Sequence, residues 1–136
     1  MIYLASPYNH EDPAVREERF LAACRVAAKL MRNEFNVFSP IAHSHPVAVH
    51  GGLDAVDHDF WMRRDLPMLR RCGAIMVLCM DGWEQSRGMA REIEEADKLL
   101  RERGVLKHYV AETEDWTWRK PGAVTLDRWI ELFKGK

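Results

Sequence analysis

The sequence predicts a single-domain α/β fold of the flavodoxin or Rossmann-like, three-layer kind, built on a mainly parallel sheet of four or five strands. Three observations carry this. Short apolar runs of strand length alternate with longer segments whose apolar residues recur at helical spacing. The run from Ala74 to Cys79 is apolar throughout, as in strands covered on both faces. A β-α-β-α-β-α-β order calls for right-handed crossovers with helices on both sides of a parallel sheet, and 136 residues suit one domain with one sizeable core.

The chain opens on a strand, MIYLAS, and turns through PYNHEDP into a helix that has Asp12 as N-cap and Pro13 at its first position. Phe20, Leu21, Cys24, Ala27, Ala28 and Met31 recur at helical spacing and predict its core face to about Arg32. A second strand, NVFSP, ends at Pro40, and residues 41–59 read as a long loop with four histidines and a glycine pair. The next helix is expected from Asp57 to Arg71, with Pro67 kinking it or opening its last part. After the Ala74–Cys79 strand, Ser86 caps a helix that runs to about Arg103 and stops at Gly104. LKHYV supplies a fourth strand. Residues 116–136 form a C-terminal tail of the same domain, whose helix TLDRWIELF presents Leu126, Trp129, Ile130 and Phe133 to the sheet or to a partner subunit.

Composition narrows the function. With 20 basic and 21 acidic residues and no long block of either sign, the electrostatic case for duplex nucleic acid or a membrane surface is missing. No apolar run approaches the roughly 18 residues of a membrane span, and MIYLASPY turns polar too soon for a signal peptide, so a cytoplasmic protein is expected. Cys24, Cys72 and Cys79 lie in apolar stretches without CxxC spacing and read as packed thiols.

Glu92 is the most informative residue. On a helix whose core stripe is expected at Met89, Ile93, Ala96 and Leu100, its carboxylate falls on the apolar flank, whereas Glu94, Glu95 and Asp97 point elsewhere. Such a group loses solvation and its pKa rises, unless it snorkels outward or pairs with an arginine. Asp65 repeats the pattern among Trp61, Met62, Leu66, Met68 and Leu69, with Arg63 and Arg64 as possible partners. Asp81 adds an acid just after the third strand, or serves as an N-cap. Acids held close together divide protonation between them, as a nucleophile and a general acid require.

Other residues converge on the same sheet edge. Ser86, Arg87 and Gly88 form a helix N-terminus, whose free N–H groups favour anions such as phosphate. Tyr3, Ser6 and Tyr8 come from the first strand and its loop, at the carboxyl end where open α/β sheets bind ligands. His43, His45, His50 and His58 raise the possibility of a metal site, although His-x-His alone is a weak signal and these side chains fit equally well at the mouth of a pocket. No metal ligand is assigned. Trp116, Trp118 and Trp129 have little basic interleaving, which favours packing over stacking on single-stranded nucleic acid.

Together, YLASPY, the acid in RRDLPML and DGWEQSRGMAREIEEA resemble the nucleoside 2-deoxyribosyltransferase superfamily, which includes nucleoside 5′-monophosphate N-glycosidases. SPYNHEDPAVREERF and SPIAHSHP are similar to a small bacterial and phage branch, DUF1937, over most of the chain up to about Gly104. The resemblance implies that Glu92 attacks the anomeric carbon, that Asp65 orients the sugar or assists the leaving base, and that Asp81 matches an acid of the preceding loop. It also implies that Ser86 holds a 5′-phosphate and that Ser6 and Tyr8 belong to the pocket. Ala90 and Arg91 stand where the superfamily usually has glycines.

The expected activity is cleavage of the N-glycosidic bond of a nucleoside or its 5′-monophosphate, by hydrolysis or base exchange, with no cofactor and no polymeric nucleic acid as partner. Related enzymes complete their sites across subunits, which makes a homo-oligomer the expectation. A non-catalytic nucleotide-binding module and a metal-dependent hydrolase using the histidines are the competing functions.

Overall fold

The computed structural model describes residues 1–114, 120 and 122–136; Trp116 and Trp118 lie outside the described residues. Five parallel strands, β1 (Ile2–Ala5), β2 (Val37–Phe38), β3 (Ala74–Leu78), β4 (Leu106–Ala111) and β5 (Val124–Thr125), form one sheet in the order β2-β1-β3-β4-β5. The order reverses between β1 and β3, and that reversal is the switch point at which doubly wound sheets open a crevice. The fifth strand, only two residues long, ends at Thr125, whose side chain then caps the last helix.

Alternation along the strands divides the core in two. Tyr3, Ala5, Ile75 and Val77 face α3 (His58–Leu69) and α4 (Arg87–Arg103), where Leu66, Leu69, Met89, Ala96 and Leu99 complete one cluster. Leu4, Met76 and Leu78 face the other way, towards α1 (Pro13–Arg32) and α5 (Leu126–Phe133), and pack with Val26, Leu30, Leu126, Trp129 and Ile130. Three layers result. The Ala74–Cys79 run is buried on both faces because helices cover both.

The helix boundaries follow their caps. Asp12 accepts the Ala14 N–H at 2.9 Å with Pro13 behind it, Asp57 accepts that of Phe60 at 3.2 Å, and Ser86 that of Met89 at 3.2 Å. Gly104, at φ 68°, closes α4 in the left-handed conformation.

Three expectations need correction. Residues 41–59 are not one long loop: α2 spans Pro40–Gly51, capped by Ser39 and ended by left-handed Gly52, with Pro46 inside it. The signals were a Ser-Pro start and a glycine pair at the end, masked by histidines and a proline that weaken helical periodicity. The core face of α1 is formed by Ala22, Ala23, Val26, Ala27 and Leu30, while Leu21 and Met31 are exposed. Val26 and Leu30 pack into the core beside the alanines, and Leu21 and Met31 fall on the flank of the helix. On α4 the buried stripe is Met89, Glu92, Glu95, Ala96 and Leu99, rotated from the expected one, and Leu100 is exposed.

That rotation puts two carboxylates inside instead of one. Glu95 was expected to point elsewhere, yet it is buried and accepts hydrogen bonds from Arg70 Nε at 2.7 Å and Arg91 Nη1 at 3.3 Å. The two guanidinium groups hold its pKa below the ordinary carboxylate range. Glu95 is thereby a structural tie between α3 and α4. The three cysteines are free thiols, with Cys72 and Cys79 buried. Trp129 packs between Phe35, at 4.8 Å, and Phe133, at 4.9 Å. Among the described residues no helix is long and apolar enough to cross a membrane.

Candidate active site

A cavity of about 190 Å³ opens at the carboxyl ends of β1 and β3, at the switch point. Its walls come from four places. The loop after β1 contributes Ser6, Tyr8 and Asn9, and α2 contributes Ile41 and Ser44. The segment joining α2 to α3 and the start of α3 add Ala55, Val56, His58, Trp61 and Met62, with Asp65 deeper on the same helix. Gln85, Ser86, Arg87, Gly88 and Met89 form the N-terminus of α4, and Glu92 lies one turn further on.

Glu92 is 4% exposed and has lost nearly all contact with water. Its Oε2 accepts a hydrogen bond from the Tyr3 hydroxyl, delivered from the middle of β1. Burial pushes the Glu92 pKa up to about 8, the Tyr3 hydrogen bond pulls it partly back, and the charge of Asp65 raises it further. Burial alone raises Asp65 to about 6. The Tyr3 phenol is itself driven well above its ordinary value by burial and then by the two acids, so it remains a donor. Asp65 is thus the first of the two acids to ionise, near pH 6, while Glu92 keeps its proton to about pH 8.

Asp65, Ser6, Tyr8, Ser86, Arg87, Gly88 and Glu92 are therefore brought together on one cavity. Two candidates are not. Tyr3 was expected to contact ligand but sits behind Glu92, outside the lining. Asp81 is exposed and outside the cavity, because the chain turns through residues 81–85 before α4 begins; its charge acts on Arg19 instead.

Two hydroxyls have capacity left for a ligand. Ser86 Oγ accepts the Met89 N–H and retains its own proton to donate. Ser6 Oγ, buried and on the cavity wall, has no hydrogen-bond partner among the described residues, a costly state that a ligand group would relieve.

The four histidines do not gather. His43 and His50 are exposed on α2, His45 is buried against Tyr8 and Glu17, and His58 lines the cavity at the start of α3. Among the described residues no three or more His, Cys, Asp or Glu side chains are grouped to hold a metal ion. The lining residues Asn9, Ile41, Ser44, Ala55, Val56, Trp61 and Gln85 are not among the expected ligand contacts, although Ile41 and Ser44 lie in SPIAHSHP and Gln85 in DGWEQSRGMAREIEEA. For those between β2 and α3 the further signal is the length of chain there, which passes over the mouth of the sheet.

The fold and site define a flavodoxin-like α/β domain with a paired-carboxyl pocket at its switch point. The family model for the domain of unknown function DUF1937 matches residues 1–106, and the chain belongs to that family. The matched stretch contains every residue that lines the cavity. No curated protein matches the chain.

Proposed function

We propose that this protein cleaves the N-glycosidic bond of a nucleoside or nucleoside 5′-monophosphate through a covalent intermediate on Glu92, as its resemblance to the nucleoside 2-deoxyribosyltransferase superfamily implies. The observation that carries the proposal is a buried glutamate, fixed by Tyr3 and joined by a second buried acid, on the wall of a cavity of about 190 Å³.

Between about pH 6 and 8 the one proton left on the two acids rests mainly on Glu92; in the reactive tautomer it has passed to Asp65, and Glu92 is a carboxylate. The Glu92 oxygen bonds to the anomeric carbon as the bond to the base nitrogen breaks, through an oxocarbenium-like transition state, and Asp65 gives its proton to the departing base. In the second half Asp65 takes a proton from water, whose oxygen displaces Glu92 and releases the free sugar. A second base in place of water gives exchange. The Tyr3 hydrogen bond stabilises Glu92 as a carboxylate at the start and as a leaving group at the end.

The pH dependence follows from the pair. Below about pH 6 both acids are protonated and there is no nucleophile; above about pH 8 both are ionised and there is no acid. A bell-shaped profile of kcat/KM with limbs near these values is expected for base release. A profile flat from about pH 5 to 9 would remove the pair from the chemistry.

The N-terminus of α4 supplies a place for a 5′-phosphate, remote from the reacting carbon, so that its binding energy orients the sugar. Ser86→Ala is expected to raise KM for monophosphates about tenfold, the loss of one hydrogen bond to a charged group, and to leave free nucleosides nearly unchanged. Loss of the cap also costs about 1 kcal/mol of stability, read separately by thermal melting. Equal losses on both substrates would remove the phosphate role. Chromatography of a nucleoside and monophosphate panel, with and without a second free base, tests the whole proposal.

A further inference from the structure

Tyr8 stands on the cavity wall, but its hydroxyl is already occupied. It lies 2.6 Å from His45 Nδ1, and His45 Nε2 lies 2.7 Å from Glu17 Oε2. A carboxylate only accepts, so Nε2 carries a proton, and in the neutral imidazole Nδ1 accepts that of Tyr8. Burial raises the pKa of the phenol, and the positive charge of nearby Arg16 opposes that rise. What Tyr8 offers the cavity is therefore its ring.

The support behind the ring is built with care. His45 is 7% exposed, one residue after the lining Ser44, and stacks on Phe20 with ring centroids 4.3 Å apart and planes 26° apart. Tyr8 meets it edge-on at 5.5 Å. Three helices or loops thus cooperate to hold one aromatic side chain: α1 through Glu17 and Phe20, α2 through His45, and the loop after β1 through Tyr8 itself. A buried imidazole satisfied at both nitrogens has one geometry, and so does the tyrosine attached to it.

We infer that Glu17 and His45 are positioning residues that lock the ring of Tyr8 as the wall on which the flat, unsaturated base of the ligand lies. This rests on the nucleoside function proposed above, and it separates the cavity into a base side at Tyr8 and an anion side at the N-terminus of α4. A pinned ring loses little freedom when a base stacks on it, which is the advantage of holding it in advance.

Glu92→Gln protein, unable to turn over, should be titrated calorimetrically with adenosine 5′-monophosphate and with ribose 5-phosphate, which lacks the base. Adding Tyr8→Leu is expected to weaken the nucleotide by about tenfold or more, the value of one base–aromatic stack, and to leave ribose 5-phosphate unchanged. The retained sugar phosphate also shows that the variant is folded. Tyr8→Phe and His45→Leu, which keep the ring but release it, should each weaken the nucleotide alone by about three- to fivefold, with the double variant no worse than either. Equal losses on both ligands, or losses that multiply in the double variant, would overturn the positioning role. Parent protein that binds neither ligand would overturn the nucleoside function and this inference together; parent that binds both confines any failure to Tyr8 and its supports.

Discussion

Replacing Glu92 with glutamine is expected to abolish base release and at the same time to make the protein more stable. Loss of the nucleophile removes the covalent route, and a fall of at least about 10³-fold in kcat/KM is expected, more than 4 kcal/mol of transition-state stabilisation. The gain in stability comes from burial. Glu92 is neutral in the folded protein up to about pH 8, whereas in the unfolded chain it ionises near its ordinary value of 4.5. Folding at neutral pH must therefore take up a proton. The sign is that of a raised pKa: the stability of the neutral buried form is fully present below about pH 4.5 and is lost progressively as pH rises to about 8. Glutamine keeps an oxygen for the Tyr3 hydroxyl and needs no proton. Near pH 7 the variant should gain about 1–3 kcal/mol, with the difference shrinking towards pH 4.5. Urea denaturation at several pH values measures it, and unchanged stability together with retained activity would place the ionisation of Glu92 outside both function and folding.

The same residue shows how far the sequence could be read. The helix from Ser86 to Gly104 was legible because its cap, its stop and its amphipathic period are local signals. Which carboxylates turn inward was less so. A rotation of the buried stripe by a fraction of a turn moved Glu92 from the flank to the centre and buried Glu95 as well, and nothing in the helix alone indicates that Arg70 would satisfy Glu95. That pairing depends on the approach of α3. Asp81 and Asp65 differ for a similar reason: both stand near apolar residues in sequence, but one lies on a turn that leads away from the sheet edge and the other on a helix packed against it. The parallel order was legible from alternation, while the helical state of residues 40–51 was not, because imidazoles and an internal proline carry little periodic signal.

Asp65 supplies the second large effect, and its test separates two jobs that geometry alone leaves joined. If Asp65 protonates the departing base, Asp65→Asn should lower kcat/KM on ordinary purine nucleosides or their monophosphates by about 10²- to 10⁴-fold, the usual value of a general acid. An N7-methylated purine leaves as a neutral base without receiving a proton, so on that substrate the variant should lose less than about tenfold. If Asp65 instead orients the sugar, both substrates lose equally. The pH profile gives an independent sign. Removing the negative charge of Asp65 takes away one of the influences that raise Glu92, so the nucleophile should ionise below about pH 8. With no acid left to lose, the alkaline fall disappears, and the bell becomes a single rise that levels off as Glu92 becomes a carboxylate. A bell that survives in Asp65→Asn would mean that another group supplies the proton, and His58, at the cavity wall on the same helix, would be the next residue to replace.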